Sequence, residues 1–309
     1  MGIISRLYIK KFVKRYDKEV GVPYYSHLDF KGLQQEKDAF IDSRGVEVHY
    51  FYYYYNNYKE DKVILFCPGI GPGHTAYLAE INQLAKRGYK VLTLDYSGCG
   101  ESKGDNLGSL NTPTSDVIDL LNHLNLNKPI ILIGHSLGGF TALNVINIRK
   151  DINKAVILSG FLSIPSLVKT IIKSNFVSSR IFSYEKKAMP QYYNVDNIEF
   201  LNHTDDTLLF IQSEDDTMIP YDISLKVVEE IDNPSIKTIK LKNRNHNPNY
   251  TESAVNYMNE VFGEYNKLIK DKKIKTDEDK MKFFKDVSLS KLTEQDEDMF
   301  GMITNFVEG

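Results

Sequence analysis

A mostly parallel β-sheet with helices on both faces is the fold this sequence predicts, on three observations. From Val63 onward, short apolar runs alternate with longer segments of helical periodicity, the pattern of strand–helix–strand units. The runs are continuously apolar, as in Val63 to Phe66 or Leu208 to Ile211, which is what strands covered on both faces require. The residues able to carry chemistry fall just after the runs, at the C-terminal strand ends where open α/β sheets bind ligands.

The first 35 residues read as a helical lead-in. Ile4, Leu7, Tyr8 and Phe12 are spaced to line one helix face, with Arg6, Lys10, Lys14 and Arg15 supplying positive charge. Such a segment could lie on an anionic membrane surface. Its commoner role, and the one expected here, is to pack on the body with its charges in water. Asp38 to Tyr55 reads as the opening antiparallel strands, and the run Tyr52 to Tyr55 suits an exposed or half-buried sheet edge. Strands are then expected near 63–67, 90–95, 129–134, 154–159, 207–212 and 236–241, and helices near 73–88, 113–125, 137–149, 221–232 and 251–270. The interval 161–206 breaks the alternation. Its helical stretch Ile164 to Ile172 and its aromatic residues are too apolar for disorder, so it reads as an inserted helical cap. The core is therefore 36–160 with 207–268, and 269–309 is a charge-rich helical extension. There, Thr293 with Glu294 to Asp298 reads as the start of a final helix. Its Phe300, Ile303, Phe306 and Val307 would dock on the body or on a partner.

The pentad Gly134-His135-Ser136-Leu137-Gly138 lies between an apolar run and a helical pattern. This is the strand–turn–helix context of a G-x-S-x-G nucleophile elbow, with glycines relieving the crowding of a tight turn. A serine hydroxyl is a weak nucleophile and needs a base held by an acid, in the chain order Ser, Asp or Glu, His. Of the seven histidines only His203 and His246 follow Ser136. His203 precedes the acidic candidates, whereas His246 follows the run Ile236 to Leu241 in a polar loop, so His246 is the expected base. The acid should follow Leu208 to Gln212, where Glu214, Asp215 and Asp216 stand together.

Ser213 to Pro220 resembles the G-x-x-D-x-x-V-P segment of the α/β-hydrolase superfamily, with Ser213 in place of Gly. The resemblance implies Asp216 as the acid. Cys67-Pro68-Gly69-Ile70-Gly71 is similar to the superfamily's H-G-x-G loop. It implies that the Ile70 N–H joins the N–H of Leu137 in an oxyanion hole. Asp95 to Ser102 looks like the D-x-x-G-x-G-x-S turn, mainly structural in the superfamily. The resemblance spans about residues 36–265 and implies the α/β-hydrolase fold with a cap.

Composition narrows the function. Net charge is −3, with no basic stripe beyond the N-terminus, so nucleic-acid binding is not expected. Cys67 and Cys99 make no disulfide framework and read as buried thiols. No metal-ligand spacing appears, and neither metal nor cofactor is expected. No run is long enough to span a membrane and no signal-peptide core follows the start, so a cytoplasmic location is expected. The resemblance then implies a serine hydrolase acting on a carboxylic ester of a small or lipid-like molecule through an acyl-enzyme. Thioester or acyl transfer and amide (peptide) cleavage use the same apparatus. A non-catalytic ligand receptor of this fold is the alternative from another class. Epoxide hydrolases and haloalkane dehalogenases share the fold but use an Asp nucleophile, so Ser136 argues against both.

Overall fold

The computed structural model describes residues 2–309. Helix α1 (Ile3–Phe12) leads into strands β1 (Gln34–Ile41) and β2 (Glu47–Tyr54). Then follow β3 (Val63–Cys67), α2 (Leu78–Lys86), β4 (Lys90–Leu94), α3 (Thr112–Leu124), β5 (Ile130–His135), α4 (Leu137–Ile148) and β6 (Lys154–Leu158). Four helices come next: α5 (Ile164–Ile171), α6 (Asn175–Ala188), α7 (Pro190–Tyr193) and α8 (Asn197–His203). The chain closes with β7 (Thr207–Ser213), α9 (Leu225–Glu229), β8 (Ile236–Leu241), α10 (Glu252–Lys270), α11 (Asp277–Phe284), α12 (Leu289–Leu292) and α13 (Glu297–Glu308).

The eight strands form one sheet in the order β1-β2-β4-β3-β5-β6-β7-β8. β1 pairs antiparallel with β2 and β2 antiparallel with β4, and every later pairing is parallel. The period of two along each strand divides the core into two clusters. Leu65, Leu132, Ile157 and Phe210 face α3, α4, α9, the inserted helices and α1. Ile64, Phe66, Ile131, Ile133, Val156, Leu158, Leu209 and Ile211 face α2 and α13. Both sides are dry, which is why these strands read as continuous apolar runs.

Three expectations need correction. The tyrosine run is not at a sheet edge, because β1 covers β2 on that side. Tyr53 is fully buried, and its hydroxyl meets His74 Nε2 at 2.8 Å. His74 Nδ1 in turn lies 2.8 Å from Asp95 Oδ1, a polar chain buried beneath the strand. On α1, Leu7 does not share the packed face: it is 52 % exposed, whereas Tyr8 is buried and Ile4 and Phe12 are partly buried against the core. The final helix starts later than Thr293. Its N-cap is Asp296, whose side chain accepts from the Met299 N–H, a bond that satisfies one of the free N–H groups of the first turn.

Helix α13 docks on the body. Phe300, Ile303, Phe306 and Val307 are buried in the second cluster, and the Arg87 guanidinium lies over the Phe300 ring at 5.4 Å. Phe300→Ala should therefore cost about 3–5 kcal/mol of stability. Urea denaturation of the full chain checks this, and a loss below ~1 kcal/mol would mean that the helix is not part of the core.

Candidate active site

β5 ends at His135 and α4 begins at Leu137, so Ser136 alone makes the turn between them. Its backbone sits at φ 57°, ψ −119°, outside the regions a serine ordinarily adopts. The turn is possible because its flanks are glycines. A Cβ on Gly134 would overlap the carbonyl of Gly138, and a Cβ on Gly138 would overlap the carbonyls of Cys67 and Pro68. α4 thereby abuts the end of β3 backbone to backbone, which brings the loop after β3 beside the serine. A Cβ built on Gly69 would lie 3.3 Å from Ser136 Cβ. The next residue, Ile70, lines the same cavity as Ser136 and Leu137.

Asp216 and His246 come together at the ends of β7 and β8. His246 Nδ1 lies 2.9 and 3.1 Å from the two carboxylate oxygens of Asp216. The Asp216 side chain is fully buried, and its Oδ1 also accepts from the N–H groups of Met218 and Ile219, each at 2.9 Å. A carboxylate that has lost its water needs this many donors. Glu214 and Asp215 are exposed, Asp215 bonding Ser213 and the Asn245 N–H, and of the acidic cluster Asp216 is the residue that meets His246. With Nδ1 turned to Asp216, a neutral imidazole has its lone pair on Nε2. Ser136 Oγ makes no hydrogen bond among the described residues. Bonds of this kind commonly tighten only when substrate binds.

The loop carrying His246 is fixed by four sets of contacts. Asn245 adopts φ 45°, a left-handed position that asparagine tolerates, and its Oδ1 accepts from the Thr217 N–H at 3.1 Å. Ser213, in place of the more usual glycine, accepts from the Arg244 N–H at 3.2 Å. From below, His135 Nε2 lies 2.8 Å from the His246 carbonyl. A carbonyl can only accept, so this nitrogen carries the proton and Nδ1 accepts from the Tyr77 hydroxyl at 3.1 Å. Burial, with His246 adding to it, pushes His135 down to about 3, so it stays neutral at any ordinary pH. Lastly, Tyr250 pairs with Gln295, and Asn249 bonds both Gln295 Oε1 at 2.8 Å and Glu80 Oε1 at 3.3 Å.

The cavity above Ser136 is almost wholly apolar. Phe161, Leu167, Val168 and Ile181 line it from the region after β6, Met218 and Ile219 from the loop after Asp216, and Tyr8 and Phe12 from α1. Its volume is about 190 Å³, below the ~300–1,000 Å³ of pockets that hold drug-sized molecules. Sequence reasoning missed three parts of this site: the α1 wall, the Tyr77–His135 support and the C-terminal segment behind Asn249. The first two had faint signals, the alignment of Tyr8 with Phe12 and a histidine inside the pentad. The third had none. Cys67 is buried, and burial pushes its thiol up to about 12, so it supplies no thiolate.

A family model described as serine aminopeptidase, S33, matches residues 58–231, more than half of the chain. The chain belongs to this family of the α/β-hydrolase superfamily. The match includes Ser136 and Asp216 and ends before His246. Among curated proteins, an epoxide hydrolase of Caballeronia sordidicola is 33 % identical over 131 residues, covering 41 % of this chain and 37 % of that protein. A lysophosphatidylserine lipase of Danio rerio is 29 % identical over 178 residues, covering 52 % of this chain and 43 % of that protein. The chain thus spans less than half the length of these relatives. Among solved structures, an esterase of Pyrococcus furiosus superposes with a TM-score of 0.59 at 17 % identity, covering 84 % of this chain and 96 % of the other. Mouse alpha/beta hydrolase domain-containing protein 10 gives 0.55 at 19 %, covering 68 % and 90 %. At such identities these structures establish the fold. Among the described residues no helix is long and apolar enough to cross a membrane.

Glu80 gives this site a pH signature. Burial pushes its carboxyl up to about 7, well above its value in the unfolded chain. The folded state then holds the extra proton, so stability falls as pH rises from about 4.5 to about 7 and levels off above that. Glu80→Gln should remove this loss, gaining on the parent by an amount on the order of 3 kcal/mol between pH 4.5 and pH 8. Urea denaturation of both proteins at the two pH values measures it, and an unchanged difference would mean that Glu80 is ionised when folded.

Proposed function

We propose that this protein is a serine hydrolase that cleaves a carboxylic ester carrying a single apolar acyl chain. The observation that carries the reading is the position of Ser136. It lies at a strained strand-to-helix turn, at the floor of an apolar cavity, at the same end of the sheet as the Asp216–His246 pair. In this reading Ser136 Oγ attacks the ester carbonyl carbon while its proton passes to His246 Nε2. Asp216 holds the ring orientation and stabilises the imidazolium. The N–H groups of Leu137 and Ile70 receive the negative charge that develops on the carbonyl oxygen. Collapse breaks the bond to the alcohol oxygen, which leaves with the proton from His246. Water, deprotonated by His246, then attacks the acyl-serine and releases the carboxylic acid and the free serine.

The lining supports an ester rather than a peptide with a free amino terminus. It contains no carboxylate to pair with a substrate ammonium, and its polar atoms are confined to Ser136, the Tyr8 hydroxyl and the backbone. The Tyr8 hydroxyl is already committed to Glu185 Oε1 at 2.6 Å. The first structural neighbours' names, and that of the lipase relative, agree with an ester-cleaving reading. The epoxide hydrolase relative sets a different chemistry beside it, and the hydroxyl nucleophile of Ser136 favours acyl transfer.

Hydrolysis of p-nitrophenyl esters from acetate to palmitate tests the proposal. We expect turnover with an optimum short of palmitate, in keeping with the small cavity. Ser136→Ala should abolish it, and Asp216→Asn should lower kcat about 10⁴-fold by leaving His246 in the wrong tautomer. Turnover that survives in Ser136→Ala, or no turnover across the series, would reject simple ester hydrolysis.

A further inference from the structure

Helix α1 has two faces, and the second is unaccounted for by packing. Ile4, Tyr8 and Phe12 point to the body, where Tyr8 and Phe12 wall the cavity and Tyr8 bonds the buried Glu185 of α6. Ile3, Arg6, Leu7, Lys10 and Lys11 share the opposite face and are exposed, Ile3 by 77 % and Leu7 by 52 %. α6 presents a matching face, with Phe176 63 % exposed and the Arg180 guanidinium 5.2 Å from its ring centroid. A groove runs between the two helices, lined by Ile3, Ile4, Phe176 and Tyr184, with Arg180 and Lys187 beside them.

Charge on this side is one-signed. Helices α1, α5 and α6 carry seven basic residues and one carboxylate, and that one, Glu185, is buried. Arg6, Lys10, Lys11, Lys173, Arg180 and Lys187 have no carboxylate within ion-pair distance among the described residues. The chain as a whole has net charge −3, so its acidic excess lies elsewhere. The cavity opens beside the same helices: of its lining residues, Ile171 at the end of α5 is 49 % exposed and Met218 57 % exposed.

We propose that the outer faces of α1 and α6 seat the protein on an anionic lipid surface, with the mouth of the acyl cavity turned toward the bilayer. Exposed apolar side chains interleaved with unpaired lysines and arginines are what an interfacial helix needs: the first enter the acyl boundary and the second meet the phosphates. An acidic protein would satisfy the charges. It would not explain why exposed isoleucine, leucine and phenylalanine side chains sit on the two helices, α1 and α6, whose inner residues Tyr8, Phe12 and Ile181 wall the apolar cavity. The purpose of docking rests on the acyl-cavity reading; the binding itself does not.

The test is co-sedimentation of the full chain with vesicles of phosphatidylcholine alone and with about one-third phosphatidylglycerol, alongside hydrolysis of soluble p-nitrophenyl butyrate. Two variants at exposed positions accompany it, Leu7→Asp with Phe176→Asp, and Lys10→Glu with Lys11→Glu and Arg180→Glu. The parent should bind the anionic vesicles roughly tenfold or more tightly than the neutral ones, and lose that binding in about 0.5 M salt. Each variant should bind roughly tenfold or more weakly while retaining hydrolysis of the soluble ester, which shows that it is folded. No binding to anionic vesicles, equal binding to neutral ones, or variants that bind like the parent would overturn the proposal. Vesicle binding is read without turnover. A parent that binds but does not hydrolyse therefore sinks the ester reading and leaves the docking face standing.

Discussion

The contact of α4 with the end of β3, backbone on backbone at Gly138, is the constraint from which the rest of the site follows. Because no side chain intervenes, the helix can start directly at the strand end, and Ser136 is left alone to make the turn. The same closeness brings Gly69 and Ile70 against the serine. Any Cβ at Gly138 would push the helix away from Cys67 and Pro68 and separate the serine from the two N–H groups proposed to serve it. The strain at φ 57° is held because both sides of the turn are buried in a close-packed core.

Around that contact the structure spends its buried polar groups on holding one loop. Asn245, Ser213, His135, Asn249 and Glu80 all bond to the segment that carries His246 or to the loops beside it. The partners come from β5, β7, α2 and the C-terminal extension, so the position of His246 integrates most of the fold. His135 is suited to this because burial keeps it neutral, with one donor and one acceptor in fixed places. The C-terminal segment serves two purposes at once. Its helix α13 closes the second face of the sheet, and Gln295 just before it reaches Asn249.

The N-terminal helix and the helices after β6 together define the cavity. Tyr8 links them through the buried carboxyl of Glu185, which also receives Ser109 and the Leu110 N–H. Burial pushes that carboxyl up. A polar latch of this kind orients α1 so that one face walls the cavity and the other is left outward. The exposed face of α1 is thus a consequence of how its inner face is fixed.

The sequence determined what depends on local chemistry. Continuous apolar runs gave the buried strands, because a strand covered on both faces has no polar side. The elbow pentad named Ser136, because only glycines relieve so tight a turn. Chain order with loop position pointed to His246, and the resemblance of Ser213 to Pro220 to Asp216, two side chains that the fold brings within hydrogen-bond distance and whose catalytic roles belong to the proposal. Tertiary structure decided whatever depends on which segments meet. Tyr52 to Tyr55 reads the same at an edge or inside; β1 takes the edge position, and the residues packed on that face of the sheet, His74 and the α2 cluster among them, bury Tyr53. The faces of α1 could not be read correctly from spacing, since Leu7 and Tyr8 are equally apolar in pattern and only the pairing of Tyr8 with Glu185 chose between them. The support of His246 by Glu80 and Gln295 joins residues over 160 and nearly 50 positions away from Asn249. No local pattern records such contacts, because they arise only once the sheet has brought the loops to one end.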